Sequence, residues 1–317
     1  ISYRILPKPH YLIKDSKTTL ADIKVLNVFI SQNNFFNKES IRINEVIIEE
    51  ANFSLLNDNF KMLYKNSENK FSEKKIKIDN SNIFFKDNLN EVIAIIKIDG
   101  ATLLFDEKKL LNLFILDGNI FTIPFIFELK GKNDSTKKKE ISFKVESLNL
   151  DIFNESIKKT DTTINGRNII LFLNSKFNTE YTIVDKAIFF TSNNSKINNS
   201  KVNYNGELTI NPFDINLNIN LDDHKISQLF NFNPIFEELL KSEILFNDNI
   251  SLRSNLNISS SIKKEIFNNA DIYFNILNGK INFNKTKFIK NNVGSLELSN
   301  SNLFIEKNKL ILSTDLF

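Results

Sequence analysis

The chain has 317 residues, a net charge of +3 from 41 basic and 38 acidic side chains, 30 Phe, 7 Gly, 5 Pro, one Met and neither Cys nor Trp. The near-balance of charge supplies no global field that would draw nucleic acid, and the missing thiols exclude disulfides and thiolate metal sites. No run approaches the roughly 18 consecutive apolar residues of a membrane-spanning helix.

The first stretch, "PKPHY" at 7–11, reads as an extended entry segment that carries His10, because Pro7 and Pro9 disfavour helix in the residues before them. Strand-like patterns follow over 41–58 and 77–87, with "LLNDNFKMLYKN" (55–66) ambiguous between helix and strand. The runs "SEKKIK" (72–77) and "STKKKE" (135–140) interleave acids with lysines and read as solvated loops.

Strict period-two alternation, the pattern of a strand with one apolar and one wet face, first becomes plain in "FTIPFIFEL". There Phe121, Ile123, Phe125, Phe127 and Leu129 share a face. It recurs at Ile141, Phe143 and Val145, at Ile169, Leu171 and Leu173, and at Val202, Tyr204, Leu208 and Ile210. The phase change from Val145 to Leu148, Leu150 and Ile152 is the pattern of a β-bulge. The clearest example is "NPFDINLNINLDD", where Phe213, Ile215, Leu217, Ile219 and Leu221 alternate with Asp214, Asn216, Asn218 and Asn220. Later runs centre on Ile250, Leu252, Leu256 and Ile258, on Ile272, Phe274 and Ile276, and on Leu303 and Ile305.

The strongest helix signal is 223–246. An Asp cap at Asp222 or Asp223 precedes it, and Asn233-Pro234 opens a second segment whose Leu229, Phe230, Phe236, Leu239 and Leu240 would pack on the sheet. A weaker one lies at 259–269. The pattern predicts about fifteen to twenty strands joined mostly by hairpins, in one elongated body over 1–317 whose softest points lie at 130–140 and 155–165, so that two lobes would meet near 155–165.

One helical hairpin about 10 Å across covers only about two strands at ~4.8 Å spacing. The apolar face must therefore meet another sheet, the same sheet curled over, or an apolar ligand. With no fixed repeat of the kind a β-helix needs, the expected fold is mainly β, a long curled antiparallel sheet, groove-like, with one or two short helices.

Chemical signatures are few. His10 and His224 are the two histidines, and Asp222-Asp223-His224 reads as a strand end running into a helix cap rather than as metal ligands. Glu49 and Glu50 fall on opposite faces of a strand and form no acid–base pair. No phosphate-binding, nucleophile-elbow or zinc motif is present, so no catalytic residue, metal or cofactor is expected. Both a closed core and a groove for acyl chains satisfy the stripes.

Several stretches resemble the AsmA-like family of bacterial envelope proteins. "YRILPKPHYLIKD" (3–15) is similar to the family's opening segment, "IRINEVIIEEANFSLLND" (41–58) to its following strand, and "KIDNSNIFFKD" (77–87) to one of its hairpins. "SKVNYNGELTINPFDINLNINLDDHKISQLF" (200–230) and "FNILNGKINFNKTKF" (274–288) resemble its later units. The resemblance implies a non-enzymatic repeating β-groove body in the periplasm that holds or guides phospholipid or other acyl lipid. The parent protein would be tethered to the inner membrane by an anchor outside this chain. The expected groove lining is Phe121, Ile123, Phe125, Phe127, Leu129, Phe213, Ile215, Leu217, Ile219 and Leu221. The alternative is a structural or adhesive β-sandwich or β-solenoid of the cell surface with a closed core.

Overall fold

The computed structural model describes residues 2–5, 11–12, 19–31, 42–56, 69–86, 91–135, 137–198, 200–210, 213–227, 244–246, 250–261, 265–306 and 309–317. These residues are almost all strand. The chain divides into two units, Ile1–Lys158 with Ile170–Leu173, and Lys159–Ile169 with Asn174–Phe317.

In the first unit, β1 (Ser2–Ile5) and β2 (Tyr11–Leu12) both pair antiparallel with β3 (Thr19–Ile30). The ladder continues antiparallel to β4 (Ile43–Leu56), and β4 then pairs in parallel with β5 (Lys75–Lys86). From β5 it runs antiparallel through β6 (Val92–Asp106), β7 (Leu111–Ile120), β8 (Ile123–Lys132), β9 (Lys138–Val145) and β10 (Leu150–Lys158).

Next comes β11 (Thr163–Phe172). In the second unit, β12 (Ser175–Val184), β13 (Ala187–Ile197), β14 (Ser200–Ile210) and β15 (Phe213–Asp222) are joined as hairpins. Strand β15 pairs in parallel with β16 (Ile250–Ser259), and β16 pairs antiparallel with β17 (Asn269–Leu277). The short β18 (Lys280–Asn282) and β19 (Lys287–Lys290) bridge β17 to β20 (Gly294–Glu306), which pairs with β21 (Lys309–Leu316).

The mainly-β, sheet-built architecture expected from the alternation is present, with one refinement: the pairing is mixed rather than wholly antiparallel. A parallel pair cannot be closed by a tight hairpin and needs a crossover of about a dozen residues or more. The two longest connections, 57–74 and 223–249, are those that join the parallel pairs, and the helix signals at 55–66 and 223–246 fall largely within them. Residues 57–68 and 228–243 lie outside the described residues, as do Leu229, Phe230, Phe236, Leu239 and Leu240. Among the described residues the helical positions are 3-10: Glu146–Leu148, Ile244–Phe246, and residues 226–227 within the 223–246 signal. Residues 265–268, within the weaker signal at 259–269, are not helical.

The phase change after Val145 has a different cause from the bulge expected. Glu146–Leu148 form a turn closed by Asn149 at φ 47°, and β9 reverses into β10 with Val145 opposite Leu150. Bends do occur inside other long strands. Glu50, Asn80 and Asn300 take left-handed φ values of 52°, 46° and 49°, and each is followed by a small buried residue, Ala51, Ser81 or Ser301. Ser81 Oγ accepts the Ala51 N–H at 3.0 Å and donates to the Asp79 carbonyl at 2.8 Å, which replaces ladder bonds lost at the bend. Such bends increase strand twist.

Each unit has its own core. In the first, Ile98, Ala101, Leu116, Phe125 and Val145 cluster. In the second, Val202, Leu221, Ile226, Ile258 and Ala270 form one cluster and Ile276, Ile281 and Leu303 another.

Gly206 on β14 marks a close approach. A Cβ there would meet the Asn216 carbonyl oxygen at 2.3 Å and the Phe190 ring at 2.6 Å. Gly206→Ala should lower stability by about 1–3 kcal/mol. In Gly131→Ala the new methyl meets an atom at 3.8 Å, and the change should stay within about 0.5 kcal/mol. Chemical denaturation of the two variants checks the contrast.

Candidate functional site

Strand β15 has the alternation that its sequence demands. Ile215, Leu217 and Ile219 are half-buried and Leu221 is buried, while Asn216, Asn218 and Asn220 are exposed. The polar face is laced by side chains in matching register. Asn218 donates to Asn205 at 3.4 Å, Asn257 to Asn220 at 3.0 Å, and Arg253 to Asp214 at 2.5 Å.

The apolar face is hollow. Opposite Leu221, Ile219, Leu217 and Ile215 stand Val202, Tyr204, Gly206 and Leu208 of β14. Beyond Leu217, on β16, stands Ser254, so small residues flank Leu217 on both sides. Along this face lies a cavity of about 560 Å³. Its walls are Phe177, Phe190, Ile197, Val202, Tyr204, Leu208, Leu256 and His224 together with Ile215, Leu217, Ile219 and Leu221 of β15. Tyr204 turns its hydroxyl to Thr179 Oγ1 at 2.6 Å, so its polar tip is occupied outside the apolar stripe.

The structure brings four of the five β15 candidates to one wall. Phe213 is exposed at the strand's start and lies outside the lining. The candidates of the first unit are placed differently. Phe121 is 71% exposed in the turn before β8, with φ 49°. The strand begins two residues later, because the positive φ at both Phe121 and Thr122 closes the β7–β8 hairpin. Phe125 is buried in the first unit's core, with its ring 5.3 Å from that of Phe143. Ile123 and Phe127 pack against that core, and Leu129 is half-buried.

Sequence reading did not single out Phe177, Phe190 or His224 as wall residues. Phe189 and Phe190 are adjacent, and pairing alone decides which faces inward. Opposite Gly206, Phe190 fills the space the glycine leaves. Between the strand end at Asp222 and the helical residues 226–227, Asp223 takes φ 54°, and this local turn carries the following imidazole onto the apolar side, where it is 3% exposed. Its Nδ1 lies 3.0 Å from Ser200 Oγ, which also lies 3.2 Å from the Asp223 carbonyl. Burial pushes the His224 pKa below the ordinary value of 6.5, with the Glu265 carboxylate pulling the other way.

Among the described residues no group of His, Asp and Glu is placed to hold a metal ion. Glu49 and Glu50 hold different partners, accepting from Asn27 at 2.9 Å and from Lys24 at 3.1 Å. One lysine of each basic run is ion-paired: Lys77 with Glu45, and Lys138 with Glu140 and Glu155.

No family model and no curated protein matches the chain. Among solved structures, that of the sex pheromone staph-cAM373 precursor aligns over 88% of this chain and 82% of its own, at 10% identity and a TM-score of 0.17. A likeness at that score carries no argument.

Two outcomes follow from the geometry. Leu217→Asn, at a half-buried wall position, should cost about 1 kcal/mol, whereas Leu221→Ala, buried in the core, should cost about 2–5 kcal/mol; urea denaturation measures both. For His224 the folded-state pKa lies below the unfolded one, so the unfolded chain binds more protons. Its stabilising contribution is full above about pH 6.5 and is lost as the pH falls through the depressed folded pKa. Thermal unfolding across that range should show the decline, and His224→Gln should flatten it.

Proposed function

We propose that the chain is the body of a non-enzymatic, AsmA-like envelope protein whose second unit holds a lipid acyl chain against β14 and β15. The observation that carries this reading is the 560 Å³ cavity with its almost wholly apolar wall. Its volume falls within the ~300–1,000 Å³ of small-molecule sites. The stripe from Ile215 to Leu221 runs about 20 Å at ~3.3 Å per residue, the reach of one long acyl chain.

Such a ligand is held by apolar area, at about 0.8 kcal/mol for each methylene removed from water, and needs no reacting group. On this reading Ile215, Leu217, Ile219 and Leu221 replace the bilayer around the chain. Ile123, Phe127 and Leu129 would offer a separate apolar surface within the first unit. The protein would work in the periplasm, attached to the inner membrane through a segment outside this chain.

Extraction of the purified protein followed by lipid mass spectrometry tests this. Acyl lipid should copurify, and Ile219→Asn should reduce its amount severalfold. A lipid-free protein that also fails to take up a fluorescent phospholipid or fatty acid would return the stripes to the closed core of a structural or adhesive protein.

A further inference from the structure

We propose that the cavity of the second unit binds a single-chain lipid acid, with its tail along Ile215, Leu217 and Ile219 and its carboxyl group on Nε2 of His224. This rests on the acyl-chain reading of the same cavity and adds a head group to it.

Four observations support the assignment. The first is position: His224 follows the end of β15 at Asp222, so it stands at one end of the stripe rather than midway along it. The second is scarcity of polar groups. Tyr204 is satisfied by Thr179, which leaves the imidazole as the wall's other polar side chain.

The third is the hydrogen-bond pattern. Ser200 has one hydroxyl proton, and its Oγ lies within reach of both the Asp223 carbonyl and His224 Nδ1. With that proton on the carbonyl, Nδ1–H donates to Ser200, and Nε2 is left as a bare acceptor. Among the described residues none bonds Nε2. A carboxyl O–H of a ligand in the cavity that His224 lines would supply a donor to it. The fourth is size, since a cavity of about 560 Å³ suits one long alkyl chain better than the paired tails of a phospholipid.

The surrounding charges permit an acid. Asp222, Asp223, Lys225 and Lys201 are exposed to water. Glu265 is the carboxylate that acts on His224 from a neighbouring segment. It is engaged by the Ser227 hydroxyl at 3.1 Å, and Lys290 Nζ donates to its backbone carbonyl at 2.7 Å. The proton balance is then fixed. An ionised lipid acid and a neutral His224 combine with one proton from solution, which the complex shares between carboxyl oxygen and Nε2. Affinity therefore falls as the pH rises, by up to about tenfold per unit. A lipid alcohol, which brings its own proton, shows no such dependence.

The experiment is displacement of N-phenylnaphthylamine from the whole chain by oleic acid, oleyl alcohol and dioleoyl phosphatidylcholine, between about pH 6.5 and about pH 8.5. Oleic acid should weaken by about tenfold or more across that range relative to oleyl alcohol, and phosphatidylcholine should compete less well than either. His224→Leu should weaken both oleic acid and oleyl alcohol and abolish the pH-dependent difference between them. If that variant does not fold, the comparison on the unaltered protein decides. Parallel pH profiles for acid and alcohol, or stronger competition by phosphatidylcholine, would overturn the head-group assignment while leaving the acyl-chain reading in place. Failure of all three to displace the probe would overturn both.

Discussion

In the register that joins β14 to β15, Val202 stands opposite Leu221, Tyr204 opposite Ile219 and Gly206 opposite Leu217. The parallel ladder from β15 to β16 continues the rows to Ile258, Leu256 and Ser254. A slip of one residue along β15 would turn Asn216, Asn218 and Asn220 onto the face where these side chains gather, because side chains alternate with period two. The cavity, its glycine and serine flanks and the placement of His224 at its end all depend on those backbone hydrogen bonds forming in this register and no other.

Amide pairs on the opposite face reinforce the register. Asn257 donates to Asn220 across one parallel pair, and Asn82 donates to Asn52 at 3.1 Å across the other. Asn282 donates to Asn302 at 2.7 Å between β18 and β20. Each bond forms when two carboxamides stand side by side, so a shifted strand forfeits it. The parallel pairs have most to gain, since they are joined by the longest connections and no hairpin turn pins them. Exposed amide bonds of this kind contribute only modestly to stability; what they add is discrimination between alignments.

Stabilisation within each unit is uneven. The first has a well-covered cluster around Ile98 and Phe125, while part of the second unit's apolar face lines a hollow. Leaving half-covered Ile, Leu and Phe side chains along a strand forgoes burial that a closed core would provide. A ligand that occupies the hollow would restore that burial and so raise stability through binding. Binding and folding of the second unit are then linked by the same side chains.

The sequence by itself determined the strands, their apolar and polar faces, the absence of recognised catalytic motifs, and the stripe from Ile215 to Leu221. Alternation is a local property, set by the geometry of the extended backbone, and can be read without knowing any neighbour. Tertiary structure alone decided which strands pair and in which direction. It made β4–β5 and β15–β16 parallel, closed the space over Phe125, and turned the Val145–Leu150 phase change into a reversal. It also set Phe121 in a turn and Phe213 outside the cavity, and brought Phe190 over Gly206 and His224 onto Ser200. Those outcomes depend on contacts between residues far apart in the chain and on single left-handed residues such as Asp223, whose effect on direction no hydrophobic pattern records.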